Sequence, residues 1–430
     1  MKKKILWIVN TIFPFPAEKL GLKKTAFGGW LNSLSNAIKE NDNFKLAVAT
    51  TYTGKVLKQL DDGKITYYLV PKKDATKYER NQKKYWQKIN ELFKPDLVHI
   101  NGTEYANGLE FINACPNTIT VTSIQGLVSV YASVYYANIS LKEILKSITI
   151  RDVIRRDTII EARKKFIKRG KNEIEILKKT NAITGRTIWD YSNVQAINPN
   201  VKFYWSNRIL REEFYRSSKW DISKVRKHSI FCSQAGYPIK GLHFIIEAAN
   251  ILKNEYPDIK IFVAGDDITK SSNVREKMKI TGYGNYIKKL IKKYNLEENI
   301  IFTGMLNAQG MVNKLLESNL FVQTSAIENS PNSLGEAMMI GVPCIASYVG
   351  GTCNMLEHEK EGLLYTYTEP AILAQYIKKI FEDDNLCMKF SNNAINKAMN
   401  THDKERITQE TIDMYLDILN NLKKGENSEK

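Results

Sequence analysis

Short apolar runs alternate along the chain with longer segments in which apolar residues recur at helical spacing. The runs predict buried strands and the longer segments predict helices. The predicted strands are Ile5–Val9, Lys45–Thr50, Ile65–Val70, Leu97–Ile100, Ile119–Ser123, Ser229–Ser233, Lys260–Ala264, Ile300–Thr303, Leu320–Thr324 and Pro343–Ser347. The predicted helices are Trp30–Lys39, Tyr78–Phe93, Tyr105–Ala114, Leu242–Tyr256, Gly284–Tyr294, Ala308–Ser318, Ser333–Ile340 and Thr401–Leu422. Alternation of this kind is typical of parallel sheets covered by helices on both faces.

Two such series join near residues 206–228, which predicts an α/β chain with two Rossmann-like doubly wound domains. The predicted boundaries are 1–206 for the first domain and 207–390 for the second. The length of 430 residues fits two or three domains of about 100–200 residues each. Because doubly wound folds bind ligands beyond the carboxyl ends of their strands, we expect the chemistry in the loops that follow strands.

The net charge of +17 is unevenly distributed, with +16 on residues 1–206 and +1 on residues 207–430. Within residues 142–179, thirteen Lys and Arg stand against six Asp and Glu, with isoleucines and valines interspersed. This excess indicates a polyanion, an anionic membrane surface or an acidic substrate, while a solvated helix face is the structural alternative. No apolar run reaches the ~18 residues that cross a bilayer, so we expect no integral membrane protein.

The five cysteines are scattered and form no C-x-x-C pair, which argues against a disulfide framework and a zinc site. A reducing compartment is therefore expected. The apolar run Ile5–Val9 is too short for the core of a signal peptide, because Asn10 follows it directly. We expect a cytoplasmic protein whose chain begins with a buried strand.

The loop after the first strand ends in Gly28-Gly29 at a predicted helix start. Two glycines there allow close backbone approach and present free N–H groups to a phosphate, although a simple tight turn explains them equally well. The dinucleotide fingerprint G-x-G-x-x-G is absent after this strand.

A second constellation follows the predicted strand Leu320–Thr324, where Glu328 lies in a loop and Glu336 in the first turn of the next helix. Carboxylates placed in this way can each accept hydrogen bonds from a pair of sugar hydroxyls, and the helix start offers N–H groups to a phosphate. Either glutamate alone is more simply a cap or a surface residue. Together with Gly350-Gly351, they form a specific pattern.

The stretch Ser325–Gly362 closely resembles the donor site of family 4 of the retaining glycosyltransferases, which use nucleotide sugars and have the GT-B fold. The resemblance is dense over residues 229–365 and thin over 1–205. It extends to Pro238–Leu242, Phe302–Gly304, Pro95–His99 and Gly28-Gly29. It implies that the two domains face each other across a cleft, with the acceptor on the first and the donor on the second. Residues 391–430 would form a helix that returns to the first domain, followed by a polar tail.

The resemblance also implies roles for single residues. Glu336 would hold the ribose hydroxyls of the donor, and Glu328 would contact hydroxyls of the transferred sugar. Lys240 would neutralise the diphosphate, whose charge builds up as it departs. Backbone groups expected around the phosphates belong to Gly28, Gly29, Gly350, Gly351, Asn332, Ser333 and Leu334.

Two positions depart from the family pattern. Ala235 stands where members commonly have an Arg, so either the diphosphate is held with one cation fewer or Arg186, Arg208 or Arg211 replaces it. Gln125 stands where a His is common; it keeps a hydrogen-bond donor and an acceptor but cannot become cationic. With Lys240 and Glu328, Gln125 completes the candidate catalytic set.

Metal chemistry is not expected, because the chain has no D-x-D motif to bridge a diphosphate through a metal ion. Glu357-His358-Glu359 resembles a metal cluster, but in the resembling family this stretch is a turn. Glycosidase-like roles, with Glu328 as nucleophile and Glu336 as acid, are an alternative. In the family these groups bind the donor, and retention is explained by front-face attack. We expect no cofactor besides the nucleotide sugar as co-substrate.

The acceptor side is less defined. His99 ends a strand and is a candidate contact, although a satisfied strand-end histidine fits equally well. Arg186, Arg208 and Arg211 are candidate acceptor or phosphate contacts. The basic and apolar residues of 142–179 predict that the first domain lies on an anionic membrane and meets a lipid-linked or acidic glycan.

The predicted function is therefore retaining transfer of a sugar, with UDP favoured as the nucleotide, to a glycan or lipid-linked acceptor in cell-surface polysaccharide synthesis. The enzyme would be cytoplasmic and peripheral at the inner face of the membrane, and no nucleic-acid partner is expected. A non-catalytic protein on the same fold that binds polyanions, nucleic acid or glycans is the alternative, but it leaves Glu328 and Glu336 unexplained. An epimerase or phosphorylase on this fold is a third possibility.

Overall fold

A computed structural model of the chain describes residues 2–22, 29–233, 235–271, 273, 276 and 278–428, with side chains up to residue 421. The chain divides into two units. Unit 1 comprises Met1–Val130, Ile167–Ile209 and His402–Lys430, and unit 2 comprises Tyr131–Phe166 and Leu210–Thr401. The division at Ile209 lies close to the predicted boundary at 206. Residues 131–166, expected in the first domain, group with unit 2, as do residues 391–401.

The described strands and helices are numbered here in chain order. The strands are β1 (Lys3–Val9), β2 (Phe44–Tyr52), β3 (Lys58–Asp61), β4 (Ile65–Pro71), β5 (Leu97–Asn101), β6 (Thr120–Ser123), β7 (Ala182–Gly185), β8 (Lys202–Trp205), β9 (Arg226–Cys232), β10 (Lys260–Val263), β11 (Ile300–Phe302), β12 (Ser318–Gln323), β13 (Cys344–Ser347) and β14 (Leu363–Tyr365). The helices are α1 (Pro14–Lys19), α2 (Gly29–Lys39), α3 (Lys83–Phe93), α4 (Asn107–Ala114), α5 (Val128–Tyr131), α6 (Leu141–Ser147), α7 (Ile150–Arg155), α8 (Ile159–Lys179), α9 (Ile188–Ile197), α10 (Glu212–Arg216), α11 (Leu242–Leu252), α12 (Gly282–Lys293), α13 (Ala308–Glu317), α14 (Asn332–Ile340), α15 (Thr352–Met355), α16 (Pro370–Glu382), α17 (Asp384–Thr401) and α18 (Lys404–Ser428).

The sheet of unit 1 has the order β3-β4-β2-β1-β5-β6-β7-β8. Its strands pair in parallel, except for the antiparallel pair of β3 and β4. The strand order reverses between β1 and β5, so the topological switch point lies beyond Val9 and Asn101. The loops that follow β1, β5, β6 and β7 therefore meet at one edge of this sheet.

The central strand β1 is buried on both faces. Leu6 and Ile8 pack into a core cluster with Trp86 and Phe111 on one face. On the other face, the Trp7 indole Nε1 donates to the hydroxyl of Tyr415, on α18, over 3.0 Å. The helix α18 is thus part of the unit 1 core.

The sheet of unit 2 is parallel, with the order β11-β10-β9-β12-β13-β14. Its strand order reverses between β9 and β12. The chain after β9 leads to Lys240, and the chain after β12 leads to Glu328, so both residues follow strands that flank the switch point. The predicted α/β class with two Rossmann-like parallel-sheet domains is confirmed.

Candidate active site

The turn that carries Lys240 is held against the loop after β12. The Ala326 amide donates to the Ile239 carbonyl over 2.7 Å, and the Thr324 hydroxyl donates to the Lys240 carbonyl over 3.0 Å. Gly241 ends the turn with φ of 69°, and a Cβ atom there would lie 2.0 Å from the Thr324 carbonyl oxygen. Only glycine allows this approach, so the sequence Lys-Gly places the lysine at the switch point.

Lys240 and Glu328 form an ion pair of 2.6 Å between Nζ and Oε1, with both side chains largely buried. The Ser325 hydroxyl donates to the same Oε1 over 2.7 Å. Burial works against the ammonium, but the Glu328 carboxylate outweighs it and raises the pKa of Lys240. The lysine is therefore a fixed cation, and an ammonium has three N–H donors, of which this pair engages one.

Gly350 and Gly351 pack directly on the Glu328 loop. The Gly351 amide donates to the Glu328 carbonyl over 3.1 Å. Gly350 has φ of 52°, and a Cβ atom there would lie 1.9 Å from the same carbonyl oxygen. The two glycines, predicted to approach phosphates, therefore also hold the backbone of Glu328.

Glu336, buried on α14, accepts two hydrogen bonds from Arg211. Arg211 Nε lies 2.8 Å from Oε1, and Nη2 lies 2.7 Å from Oε2. Burial raises the pKa of Glu336, and the guanidinium partly opposes this shift. Arg211 is thus committed to a bidentate pair with the glutamate. Each carboxylate oxygen keeps lone pairs for a further donor such as a hydroxyl.

The start of α14 lies between the two glutamates. Pro331 is the residue before the first helical turn, and its carbonyl accepts from the Leu334 amide over 3.0 Å. The predicted N–H of Leu334 is therefore already engaged in the helix start. The amides of Asn332 and Ser333 are in the first turn, where a helix provides no carbonyl for them.

In unit 1, Gln125 follows β6 and is half-buried. Its Nε2 donates to the carbonyl of Asn101, at the end of β5, over 2.9 Å. Gly29 is the first residue of α2, and Gly28 lies outside the described residues.

A buried glutamate that the sequence analysis missed holds the chain after Gln125. Glu173 accepts from the amides of Val128 and Ser129 over 3.0 and 2.9 Å, and from the hydroxyls of Ser129 and Thr103 over 2.6 and 2.7 Å. Burial raises the pKa of Glu173 to about 7, although these donors favour the charged form. No local motif marks this residue, because its partners lie on other segments of the chain.

His99 lies inside the unit 1 core. Its Nδ1 is 2.6 Å from the Tyr415 hydroxyl, its Nε2 is 2.6 Å from Ser123 Oγ, and burial lowers its pKa to about 3. A neutral imidazole satisfies both contacts, with one nitrogen as donor and the other as acceptor. The structure therefore places His99 in a structural network and leaves neither ring nitrogen for a substrate.

Arg186 and Arg208 converge beyond the carboxyl end of β6. Arg186 Nη1 and Arg208 Nη2 donate to the Ile124 carbonyl over 3.1 and 3.4 Å. Glu104, which the sequence analysis did not identify, is near both; burial raises its pKa, and Arg208, Arg169 and Arg186 oppose the rise. Three guanidiniums thus lie near Glu104 at this edge, where Glu173 and Asp190 are further carboxylates.

In the described part of the chain, no group of three or more His, Cys, Asp and Glu side chains is arranged to hold an ion. In the Glu357-His358-Glu359 stretch, the Nδ1 atom of His358 accepts from the Leu364 amide over 3.0 Å, which gives this imidazole a structural role.

Comparisons with known proteins agree with this architecture. A family model described as "Glycosyl transferases group 1" matches residues 181–397. The Escherichia coli protein UDP-Gal:alpha-D-GlcNAc-diphosphoundecaprenol alpha-1,3-galactosyltransferase is 26% identical over 207 residues, 47% of this chain and 49% of that one. The chain spans about half, or less, of the length of the first curated relatives it matches.

Two solved structures share the fold over nearly the whole chain. Sucrose-phosphate synthase from Thermosynechococcus elongatus has a TM-score of 0.70 at 14% identity and covers 98% of this chain and 100% of its own. HepE from Anabaena, solved in complex with UDP-glucose, has a TM-score of 0.64 at 17% identity, covering 96% of this chain and 99% of its own. Both neighbours are GT-B proteins, which confirms the expected fold class.

Proposed function

The chain belongs to the group 1 glycosyltransferases, and from that premise we propose that it moves a sugar from a UDP-sugar to a glycan or lipid-linked acceptor. The reaction proceeds with retention of configuration, without a metal ion, in the synthesis of cell-surface polysaccharide. The E. coli relative is named for UDP-galactose and a diphosphoundecaprenol acceptor, and HepE was solved with UDP-glucose. Both names support a UDP-sugar as the donor, and the name of the E. coli relative also supports a lipid-linked acceptor.

The observation that carries the proposal is the Lys240–Glu328 pair at the switch point of unit 2, with the Glu336–Arg211 pair on the following helix. The two N–H donors of Lys240 beyond the one bound to Glu328 stabilise the diphosphate as its negative charge grows. Oε2 of Glu328 accepts no hydrogen bond from the described residues, so it is available to hydroxyls of the transferred sugar.

The remaining roles follow from position. Glu336 accepts from the ribose hydroxyls with the lone pairs that Arg211 leaves. The amides of Asn332 and Ser333 supplement Lys240 in binding the phosphates. By the family resemblance, Gly28 and Gly29 are assigned to the phosphates, and Gln125 is the third candidate catalytic residue. The leaving phosphate takes the proton of the acceptor hydroxyl, so the reaction needs no separate general base.

The guanidiniums of Arg186 and Arg208 fit an acceptor that carries a negative charge, such as the diphosphate of a lipid carrier. An acceptor of that kind places the enzyme in the cytoplasm, at the inner face of the cell membrane. In the described part of the chain, no helix is both long and apolar enough to cross a bilayer.

The first test is a thermal-shift panel of UDP, GDP, ADP and their common sugar conjugates, run with EDTA. A nucleotide at a hundred times its dissociation constant stabilises the folded state by about 2.7 kcal/mol. We expect UDP and its conjugates to raise the midpoint of the wild type. In Glu336→Gln, the loss of a charge-assisted hydrogen bond of about 1.5–3 kcal/mol weakens nucleotide affinity by roughly tenfold to a hundredfold.

The matched control is Glu361→Gln, a buried glutamate of the same unit that accepts from the Glu357 amide and has no proposed role in donor binding. Each variant is compared with its own midpoint without ligand, so a general loss of stability cancels. An equal UDP shift in wild type and Glu336→Gln contradicts the ribose role, and a shift that needs a divalent cation contradicts metal independence. Retention is tested by NMR of the product, which should keep the anomeric configuration of the donor.

A further inference from the structure

Two short helices of unit 2 turn apolar side chains outward. On α6, Leu141 and Leu145 are each 58% exposed, and on α7, Ile150, Val153 and Ile154 are 76%, 64% and 72% exposed. The spacing of four residues between Leu141 and Leu145, and between Ile150 and Ile154, places each pair on one helix face. An ordinary surface helix directs such a stripe toward the core. On α7 this pattern is inverted, and on α6 two leucines point outward although Ile144 is buried.

The inward face of α7 is polar, that of α6 carries Ile144 and Ser147, and both helices rest on the start of α12. The Thr149 hydroxyl donates to the Ile280 carbonyl over 3.0 Å, and Asn285 Nδ2 donates to the Ser147 carbonyl over 3.1 Å. Asp152 is fully buried, and a Cβ atom on Gly282 would lie 2.8 Å from its Oδ2. Because these contacts fix which face points inward, the apolar face is held in the solvent.

The segment before α6 is rooted in unit 2. The carbonyl of Ala137 accepts from His243 Nε2 over 2.9 Å, and Ala137 packs in a core cluster with Phe244 and Ala326. Burial lowers the pKa of His243 to about 4, so this anchor is a neutral imidazole that donates to the carbonyl. The two helices are therefore a fixed part of unit 2.

Exposed basic side chains accompany this apolar surface. Lys289, on α12, donates to the carbonyl of Lys146 over 2.7 Å, which brings α12 beside α6. Each acidic group on α6 and α7 lies beside a basic one: Glu143 is 3.6 Å from Lys146, and Asp152 is 3.1 Å from Arg151. The exposed basic residues of the three helices and of the residue after α7 are Lys142, Lys146, Arg155, Arg156, Lys288, Lys289, Lys292 and Lys293.

We propose that Leu141, Leu145, Ile150, Val153 and Ile154 insert into an anionic lipid bilayer, with the basic side chains of α6, α7 and α12 on its headgroups. Stable peripheral binding requires two contributions: partial burial of apolar side chains and attraction to anionic lipid. The apolar face supplies the first, and the Lys and Arg residues near it supply the second. A neutral protein groove would use the apolar face but leave the cations without a role.

This proposal rests on the proposed function, because membrane binding serves the reaction only when the acceptor is lipid-linked and lies at the bilayer surface. It differs from the expectation that the first domain binds the membrane, since the inserting residues belong to unit 2. The donor unit itself would be attached to the bilayer. Ile159, which the sequence analysis counted with the apolar residues of this region, is buried and takes no part.

The test is co-sedimentation of the full chain with vesicles of phosphatidylcholine, alone or mixed with phosphatidylglycerol. We expect binding to the mixed vesicles that weakens with salt. Ile150→Ser/Ile154→Ser should reduce the partition constant by about a hundredfold, because each isoleucine withdrawn from water contributes about 1.5 kcal/mol or more. Arg155→Gln/Arg156→Gln should reduce it by roughly thirtyfold, at about 1 kcal/mol for each cation.

The matched control is Ile372→Ser/Met388→Ser, which removes two exposed apolar side chains from α16 and α17 of the same unit. It should bind vesicles like the wild type. The proposal is overturned if the wild type binds vesicles equally well with and without phosphatidylglycerol. It is also overturned if Ile150→Ser/Ile154→Ser binds the mixed vesicles as well as the wild type. A third result would also overturn it: a wild type that is dimeric without vesicles and an Ile150→Ser/Ile154→Ser variant that is monomeric. The apolar face would then join two copies of the chain. The UDP shift, measured on the same preparations, reports separately on the proposed function.

Discussion

At the scale of single residues, the Lys240–Glu328 pair is the part of the site with the clearest chemical consequence. Its ammonium is buried, charged and held 2.6 Å from the carboxylate. Lys240→Met removes the cation from the departing diphosphate, and we expect kcat/KM for the UDP-sugar to fall by about 10²–10³-fold. The measurement is release of UDP from the donor that the thermal-shift panel identifies.

A second lysine of unit 2 provides the comparison. Lys253 is partly buried and donates to the Tyr294 carbonyl, so Lys253→Met removes a similar side chain outside the site. It should keep kcat/KM within twofold of the wild type. If Lys240→Met remains folded and does the same, Lys240 does not stabilise the leaving group.

The sequence identified Lys240, Glu328 and Glu336 because each lies in a short linear motif with a physical reason for its residue types. The sequence indicated no partner for Glu336, because Arg211, a candidate only for acceptor or phosphate contacts, is 125 residues away in the chain. Glu104 and Glu173 escaped notice because their environments are assembled by the sheet of unit 1. For His99, the sequence left two alternatives, and burial against Tyr415 favours the structural one.

At the scale of elements, Gly350 links the turn after β13 to the loop that carries Glu328. Gly350→Ala combines a left-handed φ with a Cβ atom 1.9 Å from the Glu328 carbonyl oxygen. We expect it to lower the free energy of unfolding of unit 2 by about 1–3 kcal/mol. Relief of the clash displaces Glu328, so the affinity for the intact UDP-sugar should fall more than that for UDP. Denaturant titration and calorimetric titration measure the two effects.

The control for this substitution is Gly236→Ala, in the same unit, where an added Cβ atom meets nothing within 4 Å. It should leave both the stability and the two affinities unchanged. Equal losses of affinity for UDP and for UDP-sugar in Gly350→Ala would contradict the link between this turn and the glutamate.

Strand prediction from apolar runs worked where a strand is buried on both faces. All ten predicted strands are present, and the central ones match closely. The apolar stretch Ala182–Thr184 is also strand-like in the sequence and lies in β7. The sequence missed β3, β8 and β14, because β3 is short and largely polar, β8 has four residues and no buried side chain, and β14 has only three residues. The helix predicted from Tyr78 begins only at Lys83, after a 3₁₀ turn over Arg80–Gln82. Propensity does not distinguish that turn from the helix itself.

At the scale of the whole molecule, each unit has its own sheet and its own core, so each should unfold in its own cooperative transition. Periodicity alone could not assign residues 131–166 to unit 2, because the contacts that decide it, such as Ala137 with His243, are distant in sequence. Five of the six tryptophans lie in unit 1, and Trp220 lies in unit 2. Tryptophan fluorescence therefore reports mainly on unit 1, while calorimetry detects both transitions.

Tyr415→Phe tests this division from the side of unit 1. The substitution leaves the buried Trp7 indole and His99 imidazole without their shared hydroxyl, at a cost of about 2 kcal/mol. For a unit of this size, that lowers the midpoint of its transition by roughly 4–8 °C. Saturating UDP should raise only the other transition, which tryptophan fluorescence hardly detects. If Tyr415→Phe and UDP both shift one single transition, the two units unfold together. If UDP shifts only the transition that tryptophan fluorescence detects, the nucleotide binds to unit 1.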